Sequence, residues 1–278
     1  MLIDSHVHIF SPSVKNNKNS YASDENFRLL HQSSTARIAT GDDLIGYMDR
    51  NSIDRTVAMS FAWMNEGFSH EQNLYLQEAM KSSNGRILAF GSVPRVATKD
   101  VYSQVLNIKE LGFYGVGEIA FYAEGFSSGS AEFLREVLAS ANKLSLPVCL
   151  HVNEPVGHVY SGKYEPNFAM LYRILSDFQN VRIILSHWGG GIFLYELMPE
   201  TARIFKNVKY DTAATPFLYN EKIYPTACAA LGPEKIIFGS DYPLLGIKRY
   251  LNPLRNAVAD PGAIERILYK NIEELLAL

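Results

Sequence analysis

Only two cysteines, Cys149 and Cys228, occur in 278 residues, and each lies within an apolar segment. Reduced, buried thiols fit that usage and a disulfide framework does not, so a cytoplasmic protein is the default expectation. No apolar run reaches the length needed to span a bilayer. The first residues lack a basic stretch followed by an apolar one, so a cleaved signal is not expected. An excess of either charge is also missing: 26 Lys and Arg stand against 29 Asp and Glu, for a net charge of −3, and no Lys/Arg cluster is interleaved with aromatics. Nucleic acid is therefore not an expected partner. Low-complexity tracts, linkers and internal repeats are absent as well, which argues against a second domain. What remains, 47% hydrophobic and 20% charged, is an ordinary globular composition, and the length suits one large α/β barrel or two smaller domains.

Short β-branched or aromatic runs alternate with longer segments of helical periodicity, the pattern of repeated βα units and a parallel sheet. Strands are expected near Leu2–Ile9, Arg55–Ser60, Ile87–Val93, Tyr114–Ile119, Pro147–Val152, Arg182–Ser186, Val208–Asp211 and Ile236–Gly239. Helices are expected near Asp42–Asn51, His70–Ser83, Thr98–Leu111, Ser130–Leu144, Asn167–Phe178, Ile192–Phe205, Asn220–Leu231 and Ile247–Ala259, with a last one through Ile264–Leu276. Eight strands, each followed by a helix, predict a single-domain α/β protein, a (β/α)8 TIM barrel over residues 1–278. One long irregular stretch, Ser11–Thr40, follows the first strand, where a barrel carries active-site loops, and is read as a pocket wall or lid.

In such a barrel the chemistry comes from the C-terminal ends of the strands, and polar residues close apolar runs there repeatedly. His6 and His8 end strand 1, two residues apart and so on one face, with Asp4 beside them. Glu118 ends strand 4, His151 strand 5 and His187 strand 6, and Asp241 follows strand 8. Four imidazoles and two carboxylates form a nitrogen and oxygen donor set that suits zinc or another divalent first-row ion. Such an ion brings the pKa of bound water towards neutrality and polarises a carbonyl, and Asp241 is the natural group to take the proton. The glycines after His187 allow close approach of a ligand to a helix start, where N–H groups would receive an anion; a tight turn would ask for the same glycines.

These residues resemble the amidohydrolase superfamily, specifically the amidohydrolase-related branch of metal-dependent TIM-barrel hydrolases and decarboxylases. The motifs run the length of the chain: Asp-Ser-His6-Val-His8, His151, Ser-His187-Trp-Gly-Gly-Gly, Asn-Val-Lys-Tyr-Asp-Thr at 207–212, and Ile-Phe-Gly-Ser-Asp241-Tyr-Pro. The resemblance implies His6, His8, His151 and Asp241 at the metal, with Asp241 also moving protons. It places His187 either beside a single ion, as a catalytic group, or on a second ion as a ligand. Strand 4 offers no lysine of the kind that bridges two ions in many members. Glu118 stands there instead, in a Gly-Glu-Ile segment that looks like the bridging glutamate of TatD-type deoxyribonucleases, and it departs from the pattern of the decarboxylases. One ion, most simply Zn2+, is favoured, and a second has room.

Arg95, Trp63, Asn65, Tyr122, Asn153, His158 and Trp188 follow strand ends and are the candidate pocket residues. Of these, Arg95, Trp63, Tyr122 and Trp188 are the expected substrate contacts, Arg95 for a carboxylate, which its planar fork meets at two oxygens. His31 and His70 stand alone and have no expected role. The leading expectation is a metal-dependent hydrolase that attacks an amide, lactone or ester carbonyl of a small molecule. The alternative is non-oxidative decarboxylation of an aromatic or unsaturated acid, with phosphoester hydrolysis or a catalytically silent barrel further behind. A homodimer through barrel helices is plausible on general grounds alone.

Overall fold

The computed structural model describes residues 1–95, 98 and 100–278, so Lys99, inside the helix expected from Thr98, lies outside the described residues. Eight parallel strands pair in chain order: β1 (Ile3–His8), β2 (Arg55–Met59), β3 (Ile87–Gly91), β4 (Gly115–Ile119), β5 (Val148–Leu150), β6 (Ile183–Leu185), β7 (Val208–Asp211) and β8 (Ile236–Ile237). Backbone bonds between β1 and the segment after β8 bring the two edges together: Ser5 N–H donates to Phe238 O at 2.9 Å, Asp241 N–H to His6 O at 2.8 Å and His8 N–H to Tyr242 O at 2.7 Å. The result is the (β/α)8 barrel that the alternation predicts.

The helices that follow each strand are α1 (Gly41–Asn51), α2 (Glu66–Ser82), α3 (Val101–Glu110), α4 (Ser128–Leu144), α5 (Phe168–Asp177), α6 (Pro199–Ile204), α7 (Ile223–Leu231) and α8 (Lys248–Ala257). Their starts are set by side-chain caps. Thr40 and Asp43 cap α1 reciprocally, Asn65 caps α2 and Ser127 caps α4, each satisfying a backbone N–H that the helix itself cannot. The helix expected at Ile192–Phe205 is different. Its first half winds as tight turns over His187–Leu197, with Trp188 to Gly191 at positive φ, and only Pro199–Ile204 is α-helical.

Two apolar layers hold the barrel. Ile3, Val57, Met59, Leu88, Phe90, Cys149, Ile184 and Ile237 fill the interior, closed at one end by Ile272, Leu275 and Leu276 of the terminal helix. A larger layer packs between strands and helices. On β1, Ile3 belongs to the interior but Val7 to the outer layer, and the register with β2 shifts between Asp4 and Val7. That irregularity switches the parity of the strand, so the even-numbered His6 and His8 face inward along with the odd-numbered Ile3.

The expected irregular stretch Ser11–Thr40 is ordered into short helices, Pro12–Asn16 and Glu25–His31 among them. It covers the barrel mouth through an aromatic cluster of Phe10, Tyr21, Phe27, Phe61 and Trp63. No helix among the described residues is long and apolar enough to cross a membrane.

Candidate metal centre and pocket

The strand ends bring His6, His8, Glu118, His151, His187 and Asp241 together. His6 Nε2 and His8 Nε2 lie 3.1 Å apart. On the far side of each ring Nδ1–H donates, from His6 to the Asp211 carboxylate at 2.8 Å and from His8 to the Met59 carbonyl at 3.1 Å. Those partners only accept, so both Nε2 atoms of neutral rings carry lone pairs aimed at each other. Something positive must lie between them, a proton or a metal ion. Burial works against charge on His6, but the Asp211 and Glu118 carboxylates outweigh it and raise its pKa well above the usual value. His8 is lowered by its burial and by His6.

Glu118 stands at the centre of the group. Its Oε1 is 3.2 Å from His151 Nδ1, 3.7 Å from His187 Nε2 and 3.8 Å from His6 Nε2, and its Oε2 is 3.7 Å from His8 Nε2. Burial pushes its pKa up, yet His151, His6 and His187 hold it well below the usual carboxylate range. The carboxyl therefore stays ionised. Asp241 Oδ1 lies 3.6 Å from His8 Nε2 and 3.9 Å from His6 Nε2. The donors fall into two trios, His6 with His8 and Asp241, and Glu118 with His151 and His187.

His187 donates Nδ1–H to Ala213 O at 3.1 Å, which leaves its Nε2 as an acceptor facing His151 Nδ1 at 3.0 Å. Burial and His151 lower its pKa. His151 Nε2 is buried without a partner among the described residues. An unsatisfied imidazole nitrogen, two opposed lone pairs and two carboxylates within ligand reach make a donor set that fits a divalent metal ion.

Two carboxylates that sequence reasoning gave no function hold this set in place. Asp211, at the end of β7, is fully buried; its Oδ2 accepts from His6 Nδ1 and its Oδ1 from the backbone of His187 at 2.8 Å and Ala213 at 3.0 Å. It closes an apolar strand as Glu118 and His187 do, and that was the available signal. Asp4 points away from the other donors and ties β1 to the turn after β8, accepting from Ser240 N at 2.9 Å and Ser240 Oγ at 2.5 Å. Burial raises its pKa to about 7 against those bonds. A third cluster, His6, Cys149 and Asp211, is the buried hydrogen-bonded layer behind the His6 ring.

A cavity of about 800 Å3 opens onto His8, Glu118, His151, His187 and Asp241. Its walls include Phe10, His31, Phe61, Tyr122, Tyr160 and Phe217, with Arg37 and Arg249 among the charged lining. Tyr122 O–H donates to Glu118 Oε2 at 3.3 Å, and His158 also lines the space. The other expected substrate contacts lie elsewhere. Arg95 pairs with Glu124 at 2.8 Å, donates to Gly129 O at 2.9 Å and borders a separate space of about 20 Å3, so its fork is already engaged. Trp63 is buried in the aromatic cluster, stacked on Phe27 at 4.9 Å. Trp188 is fully buried and donates to Thr215 Oγ1 at 2.8 Å. Asn65 caps α2, and Asn153 organises the loop after β5 through Tyr160 and Tyr164.

The turn itself calls for the glycines after His187. A Cβ on Gly190, at φ +61°, would stand 2.1 Å from Asn153 O, so glycine lets this loop close on the one after β5. His187 and Asp241 themselves sit at φ +58°, a strained conformation for non-glycine residues that is met at functional sites.

Solved structures share this fold across the whole chain. The 5-carboxyvanillate decarboxylase of Sphingomonas paucimobilis superposes with a TM-score of 0.76 at 14% identity, covering 100% of this chain and 99% of its own. A dihydroxybenzoic acid decarboxylase of a Polaromonas species, with bound manganese and the inhibitor 2-nitroresorcinol, gives 0.71 at 16% identity, with 100% and 97% covered. A probable 2-pyrone-4,6-dicarboxylic acid hydrolase of Acinetobacter baumannii, with citric acid bound, gives 0.61 at 17%, with 100% and 99% covered. At these identities the likeness is one of fold. No curated protein matches by sequence. The sequence profile of the amidohydrolase family matches residues 3–278, and the chain belongs to that family.

Proposed function

We propose that this protein is a metal-dependent decarboxylase of a small aromatic or unsaturated carboxylic acid. The observation that carries the reading is the pocket: an aromatic-walled space of about 800 Å3, the size of a small-molecule site, that ends on the histidines and carboxylates. The decarboxylases among the structural neighbours support it over the hydrolase expected from sequence. His6, His8 and Asp241 would hold the ion, with Glu118, His151 and His187 facing it. A donor set without thiolate suits Mn2+ as well as Zn2+. A divalent cation bound there would supply a positive charge to a substrate oxygen as negative charge develops on it.

The chain's own groups do the rest. Phe10, Phe61 and Tyr122 confine the ring, and Arg37 and Arg249 take over from Arg95 as guanidinium groups available to an anionic substituent. Decarboxylation breaks the bond between the ring carbon and its carboxylate, carbon dioxide leaves, and the electron pair left on carbon takes a proton. That proton comes from solvent, and Asp241, the carboxyl of the His6 and His8 trio, whose side chain is 17% exposed in the pocket, passes it to the carbon. His187, held in one tautomer by the Ala213 carbonyl, forms part of the wall beside the reacting carboxylate.

Glu118 favours a second reading. A carboxylate that belongs to one donor trio and lies 3.7 to 3.8 Å from the histidines of the other suits a pair of divalent ions, the arrangement used to activate water for hydrolysis of a lactone or ester. Incubating the manganese- and zinc-loaded protein with hydroxybenzoates, carboxylated methoxyphenols and pyrone or furanone lactones separates the two. The expected result is carbon dioxide release from an acid. Ring opening without carbon dioxide would overturn decarboxylation in favour of hydrolysis.

A further inference from the structure

The segment that runs on from His187 has an inner and an outer face. Ile192, Phe193 and Glu196 turn inward and are buried, and the Glu196 carboxylate is held there by Lys235 Nζ at 2.6 Å and by the Tyr210 hydroxyl, which donates to it at 2.8 Å. Leu194, Tyr195, Leu197 and Met198 turn outward and are 48 to 65% exposed. Apolar side chains scattered singly over a surface are ordinary, whereas a contiguous set marks a contact site. Phe168, half-buried at the start of α5, extends this set, its ring centroid 6.5 Å from that of Tyr195. Glu196 is the one charged residue between Trp188 and Pro199, so its inward pairing leaves the outer face without charge. A buried ion pair adds little stability of its own, and its effect here is to keep a carboxylate off that face. Charge returns at the border. Glu200 and Arg203 lie three residues apart on α6, hence on one side of it, and both are exposed with no ion pair among the described residues.

We propose that this face binds a second copy of the chain across a two-fold axis, through the turn after β6 rather than through the barrel helices. In such an interface one patch meets itself, so a face without charge opposes no like charges, and every pairing is made twice. Glu200 of one protomer facing Arg203 of the other supplies two ion pairs at the border. A stable interface takes about 800 Å2 from each partner, with an apolar centre and a polar rim. The five apolar side chains form that centre and α6 its rim, and a net charge of −3 sets little repulsion between copies. Sedimentation velocity of the metal-loaded full chain is the test. The wild type should sediment as a dimer at micromolar concentration. Leu197→Asp and Met198→Lys, which leave the inner face intact, should each sediment as monomers with unchanged far-ultraviolet circular dichroism. Glu200→Arg and Arg203→Glu should each weaken dimerisation about tenfold, because each breaks two pairs and opposes like charges, and the double exchange should restore it. A wild type that stays monomeric at tens of micromolar overturns the proposal and leaves the face to a different protein. A dimer that survives both Leu197→Asp and Met198→Lys also overturns it, by placing the contact elsewhere. A double exchange no better than the single changes overturns the pairing of Glu200 with Arg203 across the axis.

Discussion

Asp211 is fully buried behind the pocket lining, yet its two oxygens set the orientation of two site histidines. By accepting from His6 Nδ1 it fixes the tautomer that turns Nε2 towards His8, and by accepting from the His187 backbone it holds a residue in a strained conformation. Asp211→Asn, similar in shape but without the charge, should weaken metal affinity by about 10- to 100-fold, measured by competition with a chromogenic chelator. An unchanged affinity would remove Asp211 from the support of the centre. Asp211 was within reach of the strand-end pattern that singles out Glu118 and His187. His31 was not, because its neighbours Phe10 and Phe61 come from beyond β1 and β2, and no spacing along the chain records that meeting.

The segment between β1 and α1 shows what patterning misses at the scale of an element. Its composition reads as irregular because the helices are short and held by caps and cross-loop bonds rather than by an amphipathic stripe. Asp24 is the clearest of these anchors, with bonds to Phe27, Met64 and Asn65. Asp24→Ala should therefore cost more than a lost helix cap, about 1 kcal/mol, because two further N–H groups lose their acceptor. A denaturant titration reads the loss, and KM should rise with it as the pocket wall loosens; a variant as stable as the wild type would show that the anchor is dispensable. The helices α1, α4 and α5, by contrast, were legible to within two residues, since each combines a capping residue with a buried apolar face.

For the molecule as a whole, housing His31, whose buried ring nitrogens have no hydrogen-bond partner among the described residues, has a consequence in acid. Burial, with Lys18 and His8 adding to it, lowers the His31 pKa to about 3, whereas in the unfolded chain it titrates near 6.5. The unfolded state then binds the extra proton first, so this group's contribution to stability is whole above pH 6.5 and is lost progressively as the pH falls towards 3. In metal-free protein, His31→Leu should gain stability relative to the wild type between pH 7 and pH 4, read from paired thermal melts. A constant difference across that range would mean that His31 titrates normally in the folded state.

The barrel was decided by the sequence alone, because eight apolar runs alternating with helical segments can bury both faces of a parallel sheet in few other ways. The same order along the chain put His6, His8, Glu118, His151, His187 and Asp241 at strand ends, and in a barrel all those ends share one mouth. Only the tertiary structure decided which side chains line the space above them. Arg95 and Trp63 follow strands as Tyr122 does, yet a pairing with Glu124 and an aromatic stack take them out of the pocket, while Arg37, His31 and Arg249 enter it from distant loops. Strand periodicity dictates the face a residue occupies; the packing of loops against one another, which has no period, dictates what a substrate meets.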